Sequence, residues 1–130
     1  MSVKFLSIII VSFVLVVGCS RRDTSTPAAT LQGHWVSDNK RSHWCFDDGT
    51  MYVYDAVEDK LVKDFYAILS QSPKSRSLNF KFGEGKGFEM LMVFSPDGKA
   101  AQAVEPLTDT TVFNFNYAGN DVKTCGAKSN

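Results

Sequence analysis

The sequence predicts an all-β domain, an antiparallel up-and-down meander of about eight strands closed into a barrel. Three observations predict it. From Leu31 onward, apolar and aromatic residues alternate in short runs, as on a half-buried pleated strand. Two Asp-Gly pairs, Asp48-Gly49 and Asp97-Gly98, sit between such runs, which is a strong short hairpin signal. Every proline (27, 73, 96 and 106) falls outside a proposed strand, as its missing N–H donor requires.

The proposed strands are Gly33–Ser37, Ser42–Asp47, Thr50–Val57, Leu61–Ser70, Ser77–Phe82, Phe88–Ser95, Lys99–Val104 and Thr111–Tyr117. The fifth carries Leu78, Phe80 and Phe82 on one face, with Asn79 and Lys81 opposite. The sixth carries Phe88, Met90, Met92 and Phe94 on one face. The eighth sets Phe113, Phe115 and Tyr117 against Asn114 and Asn116. The fourth is less clean: Phe65, Ala67 and Leu69 share one face, and Val62, Tyr66 and Ile68 the other. Short connections favour neighbouring antiparallel pairs, and closure removes the edges that an open sheet would expose. No run reads as a long amphipathic helix.

The chain before this domain has a different character. A single positive charge, Lys4, precedes an apolar run from Phe5 to Val17 broken only by Ser7 and Ser12. As a helix, residues 5–17 would rise about 20 Å, short of the roughly 20 apolar residues that a membrane span needs. A basic start, a short apolar core and a small residue at its end read as a secretory signal over residues 1–18. The run ends in Leu15-Val16-Val17-Gly18-Cys19, which resembles the lipobox of bacterial lipoproteins. The resemblance implies lipidation of the Cys19 thiol, cleavage after Gly18 and acylation, for instance by palmitate, of the new amino terminus. It places the protein at the cell envelope with the membrane as a partner. In a Gram-negative host, Ser20 resembles the pattern sorted to the outer membrane, on its periplasmic face. Residues 19–30, polar and rich in Ser and Thr, read as a tether, and residues 31–130 as the barrel domain.

Cleavage of 18 residues from 130 leaves 112, enough for one domain with one modest core. Lys4 leaves with the signal, so basic and acidic residues stay balanced within one. The absence of a basic stripe argues against nucleic acid as a partner. With Cys19 assigned to lipid, Cys45 and Cys125 remain, and an oxidising compartment favours one disulfide between them. The alternative is a metal site recruiting His34 or His43, but one His-x-Cys pair lacks the clustered spacing of a zinc site. No metal and no cofactor are expected.

Leu31-Gln32-Gly33-His34-Trp35 resembles the Gly-x-Trp start of the lipocalin barrel, and Trp44-Cys45-Phe46-Asp47-Asp48-Gly49-Thr50 is similar to the aromatic-Asp-Gly-Thr hairpin of small bacterial lipocalin-like domains. Tyr66-Ala67-Ile68 and Leu78-Asn79-Phe80 are similar to their later strands. The resemblance implies structural roles for Gly33 and Trp35, with the tryptophan plugging the closed end. It also suggests a small apolar or amphipathic ligand held inside the barrel, against Phe80, Phe82, Met90, Met92, Phe94, Phe113 and Phe115. The bland alternative is that these rings simply fill the core. A second function class is a protein-interaction or inhibitor module at the envelope; the Ser-Gly-x-x-Tyr loop of the membrane-bound lysozyme inhibitors is absent. An enzyme would draw on His34 or His43 as base with Asp38, Asp47 or Asp48 as orienter. No nucleophile stands in a recognisable setting, and the protein is read as non-enzymatic.

Overall fold

A computed structural model describes residues 22–125; the signal over 1–18 and Cys19 lie outside the described residues. Eight antiparallel strands close into one barrel in chain order, each pairing with the next and the last with the first. They are β1 (Gly33–Ser37), β2 (Ser42–Asp47), β3 (Thr50–Asp55), β4 (Lys60–Ser72), β5 (Ser77–Phe82), β6 (Phe88–Phe94), β7 (Ala100–Glu105) and β8 (Thr110–Gly119). This is the fold class that alternation and turn chemistry predict. The differences lie at strand ends. β3 stops at Asp55 because its carboxylate accepts the backbone N–H groups of Val57 and Glu58, closing a turn. β4 is longer than expected because it serves two partners in succession, β3 along residues 60–65 and β5 along residues 66–72.

Alternation assigns the faces. Trp35, Trp44, Phe46, Met51, Tyr66, Leu78, Phe80, Met92, Phe94 and Phe115 point inward into one buried cluster. Trp44 is its hub, with ring centroids of Phe113 and Phe115 at 5.3 and 5.0 Å. Ala101 and Ala103 line β7 opposite the rings of Phe115 and Phe113. Small residues on one strand thus leave room for large ones on the next. On β4, Tyr66 is the member of the core, while Phe65 and Leu69 are exposed.

Residues 22–31, expected to belong largely to a tether, are folded against the barrel. Thr26 caps a short helix, α1 (Pro27–Leu31), accepting the N–H of Ala29, and Pro27 takes the first helical turn. Leu31 is fully buried, and its carbonyl accepts the indole N–H of Trp35 at 2.9 Å. Arg22 donates to the carbonyls of Gly98 and Thr30, at 2.7 and 2.6 Å, and stacks 3.5 Å above the Tyr117 ring. A polar composition concealed this segment, because its contacts run through one arginine, backbone carbonyls and a single leucine. Among the described residues, no helix is long and apolar enough to cross a membrane.

Candidate functional site

An up-and-down meander sends alternate connections to opposite ends of the barrel. The Arg22–Leu31 segment covers the end that carries the connection between β6 and β7. There Trp35, with no exposed surface, packs on Phe94 and Tyr117. The opposite end carries the β1–β2, β3–β4, β5–β6 and β7–β8 connections. Exposed apolar side chains collect around it: Val57, Leu61, Val62, Phe88, Leu107 and Val112.

The residues expected to hold a ligand divide into two sets. Phe80, Met92 and Phe115 have at most 1% of their surface exposed, so their side chains are enclosed by packing. Phe94 and Met90 are also buried. The lower and middle barrel is solid, and these rings are packing. Phe82 and Phe113 are only partly buried and lie toward the open end. Phe82 and Met90 line a groove of about 520 Å³, shared with Leu69, Phe88, Pro106 and Leu107. Lys81, Lys86, Glu89 and Glu105 also line it. Phe88 is 68% exposed and Leu107 94%, which is uncommon for large apolar side chains in a small domain with a well-filled core. The volume lies within the usual 300–1,000 Å³ of small-molecule sites. A smaller space of about 50 Å³, beneath the Arg22–Leu31 segment, has room for solvent only.

The histidines occupy a different place, outside the barrel on β1 and β2. His34 faces Cys45 directly across the ladder, and His43 follows on the same face. His34 Nε2 and His43 Nδ1 are 2.8 Å apart. Beyond β8, a 3₁₀ turn (Val122–Thr124) leads to Cys125, which forms a disulfide with Cys45 within 4.8 Å of a His34 ring nitrogen. Burial lowers the pKa of each imidazole. For His34 the neighbouring His43 acts in the same sense and Asp121 opposes it; for His43 a backbone hydrogen bond with Lys40 opposes it. The carboxylates considered as orienters lie elsewhere. Asp38 accepts from Asn116, and Asp47 and Asp48 belong to the β2–β3 hairpin end. Sequence spacing missed the clustering because His34 joins through strand pairing. A turn at Asp38-Asn39-Lys40 pairs residues whose numbers sum to 79, which already sets His34 against Cys45.

No protein-family description, curated protein or solved structure matches this chain.

Proposed function

We propose that this protein is a lipid-anchored envelope protein whose barrel binds a small amphipathic ligand at its open end. The observation that carries the reading is the groove of about 520 Å³ in which Phe82, Phe88 and Leu107 meet Lys81 and Lys86. An acyl or similar apolar portion would cover the rings, and a polar head would reach the charged rim. The solid interior supports a ligand that lies across the barrel end rather than within it. The membrane anchor rests on the resemblance of Leu15 to Cys19 to a lipobox, and no catalytic step is part of the reading.

Binding is tested by titrating the purified protein with an environment-sensitive fatty-acyl dye, alongside native mass spectrometry of lipid-loaded samples. Burying one large apolar side chain is worth about 1.5–3 kcal/mol. Replacing Phe88 and Leu107 together by serine is therefore expected to weaken dye binding by about tenfold or more. No binding by the wild type, or equal binding by the double variant, removes the proposal. The anchor has its own test. Cys19→Ser is expected to lose acyl mass and sedimentation with membranes, and a variant that keeps both would exclude lipidation at this residue.

A second reading, a protein-interaction module, draws on Leu61 and Phe65, which lie on the outer face of β4 with 51% and 71% of their surface exposed. Phe65→Ser is expected to abolish partner recovery from envelope extract while leaving dye binding intact; recovery unchanged by the substitution counts against this face.

A further inference from the structure

Strand pairing and the turn beyond β8 bring three side chains of metal-ligand type together on the outside of the barrel, with His43 beside them. One ring nitrogen of His34 and the sulfurs of Cys45 and Cys125 all lie within 4.8 Å of one another. His43 Nδ1 lies 2.8 Å from His34 Nε2, and the backbone carbonyl of His43 is 4.0 Å from the Cys125 sulfur. Cys45 is fully buried, and His34 and Cys125 nearly so. While the sulfurs are joined, neither carries the charge that a thiolate ligand supplies. Separated, they make a three-donor group with His34, and the adjoining His43 ring would complete a Cys₂His₂ set, the donor group of structural zinc sites.

We propose that the reduced protein binds one zinc-type divalent cation through the Cys45 and Cys125 thiolates and the His34 and His43 rings, so that a metal replaces the disulfide as the staple. The exchange balances with an exported dithiol as reductant. The dithiol gives two electrons and two protons, the S–S bond breaks, two thiols form and the dithiol becomes a disulfide. Metal binding releases the two thiol protons and forms two metal–sulfur and two metal–nitrogen bonds. Transfer of two electrons to another disulfide restores the S–S bond and expels the cation.

Three of the four donors are already clustered, and His43, now held to the His34 ring, must turn its Nδ1 toward the sulfurs. Zinc–nitrogen bonds of about 2.0–2.1 Å in tetrahedral geometry set two nitrogens about 3.3 Å apart, a modest widening of the present 2.8 Å. The sulfurs must part to about 3.8 Å, given zinc–sulfur bonds of about 2.3 Å. Cys125 can take up that separation because it follows the 3₁₀ turn and belongs to no strand. Simple packing would also account for two histidines beside a disulfide, and metal binding discriminates the two readings.

The test uses the full chain, reduced by a non-chelating phosphine without oxygen and titrated with Co²⁺ and then Zn²⁺. One Co²⁺ per chain is expected, with a thiolate-to-cobalt charge-transfer band and tetrahedral d–d bands that Zn²⁺ displaces. The oxidised chain is expected to show neither. His34→Gln, which keeps bulk and a hydrogen-bond donor, is expected to weaken Zn²⁺ binding at least tenfold. Absence of the charge-transfer band in folded reduced protein overturns the proposal. So does equal binding by the oxidised chain, which would assign the ion to the imidazoles alone, or unchanged affinity in both His34→Gln and His43→Gln. If reduction unfolds the chain, one equivalent of Zn²⁺ is expected to restore its β-sheet circular dichroism, and failure to do so also overturns it.

Discussion

At Gly33 the backbone takes φ +114°, and a Cβ there would sit 2.8 Å from both the Gly119 carbonyl oxygen and the Tyr117 ring. Strain and collision act together, so Gly33→Ala is expected to cost about 2 kcal/mol or more, read as a lower thermal midpoint. The glycine of the Gly-x-Trp motif is thus explained by the crowded meeting of β1 with β8. The two histidines make a pH prediction. Their folded pKa values lie below the ordinary 6.5, so the unfolded chain takes up protons first as pH falls. Stability is then full above about pH 6.5 and declines below it, towards the folded-state values. The thermal midpoint is expected to be lower at pH 5.5 than at pH 7.5, and His34→Gln/His43→Gln is expected to flatten that difference. An unchanged slope in the double variant would mean that other groups set it. At this scale the sequence was partly legible: each histidine stood beside a visible motif, but their contact required a register that spacing along the chain does not display.

Among elements, strands were legible because turn chemistry marks their limits and alternation marks their faces. The helix α1 was not, because five residues cannot show a helical period. The Thr26-Pro27 pair, an N-cap followed by proline, was the available signal. The docking of this segment has an energetic test. Arg22 makes two charge-assisted hydrogen bonds and lies over an aromatic ring, and Arg22→Ala is expected to destabilise the protein by about 2–3 kcal/mol. A shift below about 0.5 kcal/mol in denaturant unfolding would mean that the segment is merely adjacent. The C-terminal element is held by the disulfide, which links residues 80 apart in sequence. Replacing both cysteines by serine is expected to cost about 2–5 kcal/mol.

For the whole molecule, neighbouring strands pair through local hairpins except at the closure, where β1 meets β8. The disulfide runs from β2 to the segment beyond β8 and so bridges the flank of that closure. In the double serine variant, amide hydrogen exchange is expected to accelerate first in β1 and β8 and least in the long β4–β5 pair. Uniform loss of protection would contradict a localised role. Whether the barrel would be hollow was the part of the architecture least legible in advance. Alternation tells which side chains enter, while strand tilt and the Ala101–Ala103 face of β7 decide how tightly they fill the space. Here the Trp44-centred rings fill it, and one of the surface grooves lies where Phe82 nears the open end.

The grip of Arg22 on the Gly98 carbonyl also fixes how the domain would stand over a bilayer. With a lipid on Cys19, only Ser20 and Arg21 separate the anchor from the barrel. At about 3.5 Å per extended residue, that leash reaches on the order of 10 Å. The domain would then ride low, with its plugged end toward the headgroups and its groove turned outward into the aqueous compartment. An amphiphile would then reach the groove from the aqueous side, and the short leash would keep the groove from meeting the anchoring leaflet.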